Sequence, residues 1–216
     1  MANVLAGRGM NGLTDSAAAD LARAEGLVGQ ALAAAPRYAY AHHTKATVLR
    51  AQNRCEEAIP EYETALALNR NMAYAIIRLG WCKVYAGSLD EAIPLVEQAI
   101  RLSPRDPYIG YWYVRMGIAH LVQSRIDDAI DWFKKALSAN PGNPRRHALL
   151  ASAYALKGQT EHAAVELAEA RRLSDDDRFS SIARSKADLP LGVQKIRALL
   201  ETTLFAGLRK AGMPEK

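Results

Sequence analysis

The side chains able to do chemistry are few and scattered. His42 and His43 are adjacent, so on a helix they diverge by about 100° and do not share a metal. His120, His147 and His162 fall in three different helical stretches. Cys55 and Cys82 lack a CxxC spacing and read as two reduced, non-metal thiols. Glu56–Glu57, Asp127–Asp128 and Asp175–Asp176–Asp177 stand where helices begin. Negative charge there complements the helix dipole, so these carboxylates read as caps, not acid/base pairs. No Ser/His/Asp arrangement, P-loop or GxGxxG occurs. The expectation is a chain with no catalytic residue, no metal and no cofactor, any catalytic domain lying outside it.

The elements that carry these residues repeat. Ala73–Asp106 reads as two amphipathic helices joined by a tight turn at Gly87, with Gly80 and Ala92 as the small residues where they touch. Ala24, Ala58 and Ala92 are 34 apart; Ala129 follows after 37 and Ala163 after 34. Ala31, Ala65, Ala99, Ala136 and Ala170 keep the same register, as do Ala46, Gly80, Gly117 and Ala151. Four residues after each member of the first series comes a bulky one: Val28, Tyr62, Val96, Phe133, Leu167.

A 34-residue period with this content resembles the tetratricopeptide repeat (TPR) family over roughly residues 5–177. The resemblance implies an all-α chain: a right-handed superhelix, or α-solenoid, of about five helix-turn-helix repeats with a C-terminal helical cap. Residues 1–38 would be a degenerate first repeat, weak in its first helix because of Gly7, Gly9 and Gly12 and frayed before Ser16. Residues 39–72, 73–106, 107–143 and 144–177 would be full repeats, the fourth with a three-residue insertion near Pro107–Gly110 that lengthens its first helix. Ser16 is expected to cap a helix, and Asn53/Glu56 and Ser88/Glu91 to form capping boxes. Pro60 and Pro94 take equivalent places inside second helices.

Residues 178–216 leave the period and would cap the array. Ser174 and Asp177 would cap a short helix with Phe179 and Ile182. A second helix after Pro190 would carry Val193, Ile196, Leu200, Leu204 and Leu208 as an apolar stripe, covering the last repeat or folding back into the groove.

In the family the first helices line a concave groove. Carried over, the partner-binding candidates are Tyr40, His43, Thr47 and Arg50; Tyr74, Ile77, Trp81 and Tyr85; Tyr111, Val114, Ile118 and Leu121; and Arg145, followed by Ala148 and Ser152. Positions that grip a partner's C-terminal carboxylate in some members hold His43, Thr47, Ile77, Trp81, Val114 and Ile118, which argues against that mode. An apolar aromatic groove implies a peptide or amphipathic helix of a partner protein. The ending Glu201–Lys216, with the insertion after Ser103–Pro107, also resembles the repeat region following adenylate or guanylate cyclase domains in bacterial signalling proteins. That implies a regulatory module with the groove partly filled by its own tail.

Composition sets outer bounds. Charged residues at 24% and hydrophobic ones at 50% fit an ordered chain. The net charge of +5 comes with scattered pairs such as Arg145–Arg146, which read as ordinary surface and not a nucleic-acid stripe. No apolar run approaches the roughly 18 residues of a membrane span. The start has no secretory pattern and begins close to a repeat, suggesting a piece of a longer protein in the cytoplasm. A homo-oligomer is compatible with the pattern.

Overall fold

The computed structural model describes residues 1–10, 16–187 and 194–216. These form helices and turns in two compact units, Met1–Ser103 and Pro104–Lys216. In the first unit α1 (Ala2–Met10) pairs with α2 (Ala17–Ala34), α3 (Ala39–Ala51) with α4 (Cys55–Leu68), and α5 (Ala73–Tyr85) with α6 (Leu89–Leu102). In the second, α7 (Ile109–Val122) pairs with α8 (Ile126–Ala139) and α9 (Pro144–Leu156) with α10 (Thr160–Leu173). The chain then runs through α11 (Ile182–Ala187), α12 (Gln194–Leu200), a π-helical turn (Glu201–Phe205) and α13 (Ala206–Lys210).

The recurring small residues sit where helices of a pair meet. Ala24, Ala58, Ala92, Ala129 and Ala163 have no exposed surface, and the bulky series Val28, Tyr62, Val96, Phe133 and Leu167 is buried beside them. The fit is tightest in α7. A methyl group at Gly117 would drive into the Phe133 ring, whereas one at Gly80 would meet Val96 Cγ2 at 3.1 Å. Larger residues would push the paired helices apart and expose both apolar faces. Each of the four later pairs is also joined in one way: Asn53, Gly87, Ser124 and Gly158 all take the left-handed conformation, with φ of 65, 85, 59 and 84°. That single residue reverses the chain between helices.

Several expectations are corrected. Residues 2–10 form a helix, and its Leu5 and Ala6 pack with Ala24, Val28 and Val48; burial of those two side chains outweighs the glycine penalty. Gly12 lies outside the described residues, as do Pro190 and Val193. Ala31 is exposed, unlike its equivalents. Neither capping box forms: Ser16 and Ser88 make no side-chain cap bond, and Arg54, not Asn53, is the N-cap of α4 because Asn53 is used for the turn. Asn143 does cap, accepting from the Arg145 backbone N–H at 3.1 Å. The insertion adds one residue to the front of α7; the rest is a turn folded around Asp106, whose carboxylate accepts from the Tyr108 N–H at 2.8 Å. Phe179 is buried but precedes α11, and the carboxylate turning the chain there is Asp176, which accepts from the Arg178 N–H.

Two repeats carry a polar clasp. His147 Nδ1 lies 2.6 Å from the Glu166 carboxylate and its Nε2 2.9 Å from the Pro141 carbonyl. His42 repeats this with Glu61 at 2.7 Å and Pro36 at 2.9 Å, at the equivalent places three repeats earlier. The equivalent places hold Ile76 and Leu95 in the third repeat, and Tyr113 and Trp132 in the fourth, the last two rings 5.6 Å apart. The same contact between paired helices is thus polar in two repeats and aromatic in the fourth.

Gly117→Ala is expected to lower the melting temperature by several degrees, because overpacking by about 1–3 kcal/mol exceeds the ~1 kcal/mol gain in helix propensity. Gly80→Ala should change it little; thermal circular dichroism of both variants distinguishes them. His147→Tyr and Glu166→Trp should each destabilise by about 1–2 kcal/mol, and the double variant should recover part of the loss. A double variant as unstable as the sum of the singles would show that the two contacts are not interchangeable.

Candidate functional site

In the first unit α3 and α5 lie side by side and present the residues assigned to the groove. Tyr40 and Tyr74 are exposed, and Arg50 and Tyr85 half-buried. His43, Thr47, Ile77 and Trp81 are buried, so they do not form the open apolar surface their spacing suggested. Trp81 stacks edge to face on Tyr85 at 4.8 Å. The floor is polar. Arg78 Nη1 donates to Thr47 Oγ1 at 2.7 Å, and the guanidinium is also bonded to the Tyr62 hydroxyl. Thr47 Oγ1 in turn donates to the His43 carbonyl at 2.9 Å. The His43 ring lies between Tyr40 and Tyr62, with centroids at 5.6 and 5.9 Å.

In the second unit the corresponding face is covered. The tail, α12 through α13, packs on α9 and α7, the two first helices. Ile196, Leu200, Leu204 and Leu208 are buried along it, with Phe205. A four-residue step overshoots one 3.6-residue turn by about 40°, so that stripe would wind away from a flat contact. The wider π-turn at Glu201–Phe205 takes up the excess. Ser152 of α9 donates to the Leu204 carbonyl at 2.8 Å, supplying a partner within that irregular turn. Gly207 rests on the Ser152 backbone, where any Cβ would collide. The end of the chain is pinned as well: Ile182 and Ala183 at the start of α11 donate to the Pro214 and Glu215 carbonyls, and Glu201 pairs with Lys186 and Arg209. Val114, Ile118, Leu121, Ala148 and Ser152 are all buried. Tyr111 stays exposed with the Arg146 guanidinium 5.2 Å from its ring, and Arg145 is half-buried.

Three features escaped sequence reasoning. Arg146 is buried, not surface: it donates to the Ala136 carbonyl at 2.6 Å and so caps the end of α8. Cys55 and Cys82 meet across α4 and α5 with sulfurs 3.0 Å apart, and this contact together with burial pushes the Cys82 thiol far up. Most informative is a segregation of charge. α3, α5, α7 and α9 contain no aspartate or glutamate, whereas α4, α6, α8 and α10 all carry them. Reading the repeats by column for charge, as was done for size, exposes it. Among the described residues no cluster of three metal-ligating side chains forms.

His43 is held neutral. Burial, then the charges of Arg78 and Arg50, lower its pKa from 6.5 to about 4. The rings packed against it are Tyr40 and Tyr62. Between those values the unfolded chain binds a proton that the folded chain refuses, so stability present above pH 6.5 is lost as pH falls toward 4. The melting temperature is therefore expected to drop more steeply from pH 7 to 4.5 in the native chain than in His43→Phe. Parallel slopes would show that His43 does not titrate in this way.

The tetratricopeptide repeat models match residues 43–107, 77–144 and 121–189, together well over half of the chain. A curated relative, the cell division cycle protein 27 homolog of Caenorhabditis elegans, is 34% identical over 92 residues. That stretch is 43% of this chain and 11% of the relative, so the chain spans about a ninth of it. Among solved structures, pilF of Pseudomonas aeruginosa is similar at a TM-score of 0.69 and 18% identity, covering 98% of this chain and 91% of that one. MamA is similar at 0.64 and 21%, covering 79% and 93%. YrrB, described as a TPR protein with an unusual peptide-binding site, is similar at 0.59 and 17%, covering 83% and 91%. With the helix pairs, their single-residue turns and their buried small-residue columns, these matches place the chain in the tetratricopeptide repeat family.

Proposed function

We propose that the chain is a non-catalytic scaffold that holds a peptide or helix of a partner protein against its first helices. The face formed by α3 and α5 takes the partner, while the equivalent face of the second unit is occupied by the chain's own tail. The observation that supports this reading is the tail itself. An amphipathic helix lies across α9 and α7, its apolar stripe buried and one backbone carbonyl taken by Ser152. A surface of this family thus serves here as a helix-binding face. Tyr40, Tyr74, Arg50 and Tyr85 are the accessible contacts on the first unit, with exposed aromatic rings supplying most of the binding energy. Arg145 and Tyr111 remain accessible beside the docked tail.

The chain would act as a docking part of a larger assembly. The Glu201–Lys216 segment that resembles cyclase-associated repeats already has a structural role in tail docking, and nothing more specific than partner binding is needed to account for it. No helix among the described residues is long and apolar enough to cross a membrane.

Tyr40→Ala with Tyr74→Ala should weaken capture of a partner segment about tenfold or more while leaving the thermal transition almost unchanged, since both rings are exposed. Trp81→Ala should instead lower the transition, as expected for a buried ring. Gly207→Leu should lift the tail, seen as faster amide exchange in α9 and α13 with α3 and α5 unaffected. Retained protection of α9 would mean that the tail contact is not held at Gly207.

A further inference from the structure

Cys55 and Cys82 join one helix pair to the next. Cys55 is the first residue of α4, and Cys82 lies on α5, 27 positions later. Both are free thiols, and the Cys82 thiol donates to the Cys55 sulfur across 3.0 Å. An S–S bond is about 2.05 Å long, so roughly 1 Å of closure separates the two sulfurs from a covalent link. The equivalent places hold Leu21 and Val48 one repeat earlier, in one apolar cluster, and Ile126 and Ala153 two repeats later. Hydrocarbon serves in those positions, so packing alone does not call for sulfur. A buried cysteine packs as a small hydrophobe, and what it adds is reactivity.

The two sulfurs differ in access. Cys55 is half-buried at the start of α4, whereas Cys82 has no exposed surface and belongs to a core with Leu49, Tyr62 and Leu79. The contact with Cys55 and burial hold the Cys82 thiol protonated, against the opposing charges of Arg50 and Arg78. A reagent from solvent therefore meets Cys55 first, with Cys82 in contact behind it. That is the arrangement of an attacked thiol beside a resolving one. The joint around them is already tied: Lys83, next to Cys82, pairs with Glu63 of α4 at 3.3 Å and with Glu91 of α6 at 2.9 Å. A bond here would link helices whose approach is set before it forms.

We propose that Cys55 and Cys82 form a thiol–disulfide modification site that reacts with small disulfides of the glutathione type and, once oxidised, staples α4 to α5. In the first step the Cys55 thiolate attacks one sulfur of the small disulfide. That S–S bond breaks, and the Cys55 proton passes through water to the departing thiolate. Cys55 then carries a mixed disulfide. In the second step the Cys82 sulfur attacks Cys55 Sγ, expels the second small thiolate and gives it the Cys82 proton. In all, two protein thiols lose two electrons to one small disulfide, which leaves as two thiols. Excess small thiol reverses both steps. This chemistry does not depend on partner binding. Because α5 also forms half of the α3–α5 face, oxidation would fix that half of the face on α4.

The test equilibrates the full chain with mixtures of reduced and oxidised glutathione, from fully reducing to fully oxidising. Acid quenching, denaturation and labelling with N-ethylmaleimide follow, and intact mass is read. The native chain is expected to pass from two labels to none, with loss of two hydrogens and no glutathione retained. Peptide mapping should then join Cys55 to Cys82 within one chain. The oxidised form should melt about 5 °C or more above the reduced form, because the bridge closes a loop of the unfolded chain, and dithiothreitol should reverse the shift. Cys82→Ala should stop with one glutathione on Cys55, and Cys55→Ala should leave Cys82 without glutathione while the chain is folded. Two labels at every ratio, a native chain that stops at the Cys55 mixed disulfide, or disulfide-linked dimers would overturn the proposal. A bridged form that melts no higher than the reduced one would overturn the staple. The deciding measurements use the native chain, so a folding defect in either variant cannot imitate them.

Discussion

Everything in this molecule depends on how closely two helices can approach. Where a repeat places alanine or glycine, the backbones come near enough for a bulky neighbour to fill the remaining space with no surface left over. Gly117 with Phe133 is the extreme within a pair. Gly207 on Ser152 is the same device used by the tail against α9. In both, the absence of a side chain sets the helix spacing, and the apolar burial that stabilises the fold follows from it.

That spacing also decides where charge can go. First helices are enclosed on more sides than second helices, so an unmatched carboxylate on them would be costly. Second helices keep a solvent face and begin with Glu56–Glu57, Asp90–Glu91 or Asp127–Asp128, where the dipole favours them. The result is a surface of first helices bearing only neutral and basic groups. Arg146 shows how a cation can be buried there, by turning onto main-chain carbonyls at the end of α8. Arg78 instead donates to a hydroxyl, that of Thr47.

Much of this was legible in the sequence because it is periodic. The small and bulky columns, the turn at Gly87 and the internal prolines Pro60 and Pro94 all lie where the spacing put them. What failed was local. Asn53 and Ser88 match a capping pattern, but in the helix pairs the turn geometry claims the first, and the second makes no side-chain cap bond. Gly7 and Gly9 argued against a helix that burial of Leu5 and Ala6 nevertheless secures. Exposure was the harder quantity. Ile77, Trp81, Val114 and Ile118 have groove spacing but are buried, because periodicity gives a residue's direction and not what lies against it. The tail's destination was likewise hidden, since an apolar stripe states that a helix must be covered and not by which neighbour.

The clasp formed by His42 or His147 has one more implication. Each joins two helices of a single repeat to the proline-bearing turn just before it, and asks nothing of the pair that follows. Such a unit brings its internal fastening along when copied. Its apolar counterpart, Tyr113 with Trp132, is equally self-sufficient. Duplication or loss of a whole pair can therefore lengthen or shorten such an array without redesigning the fastening inside each pair.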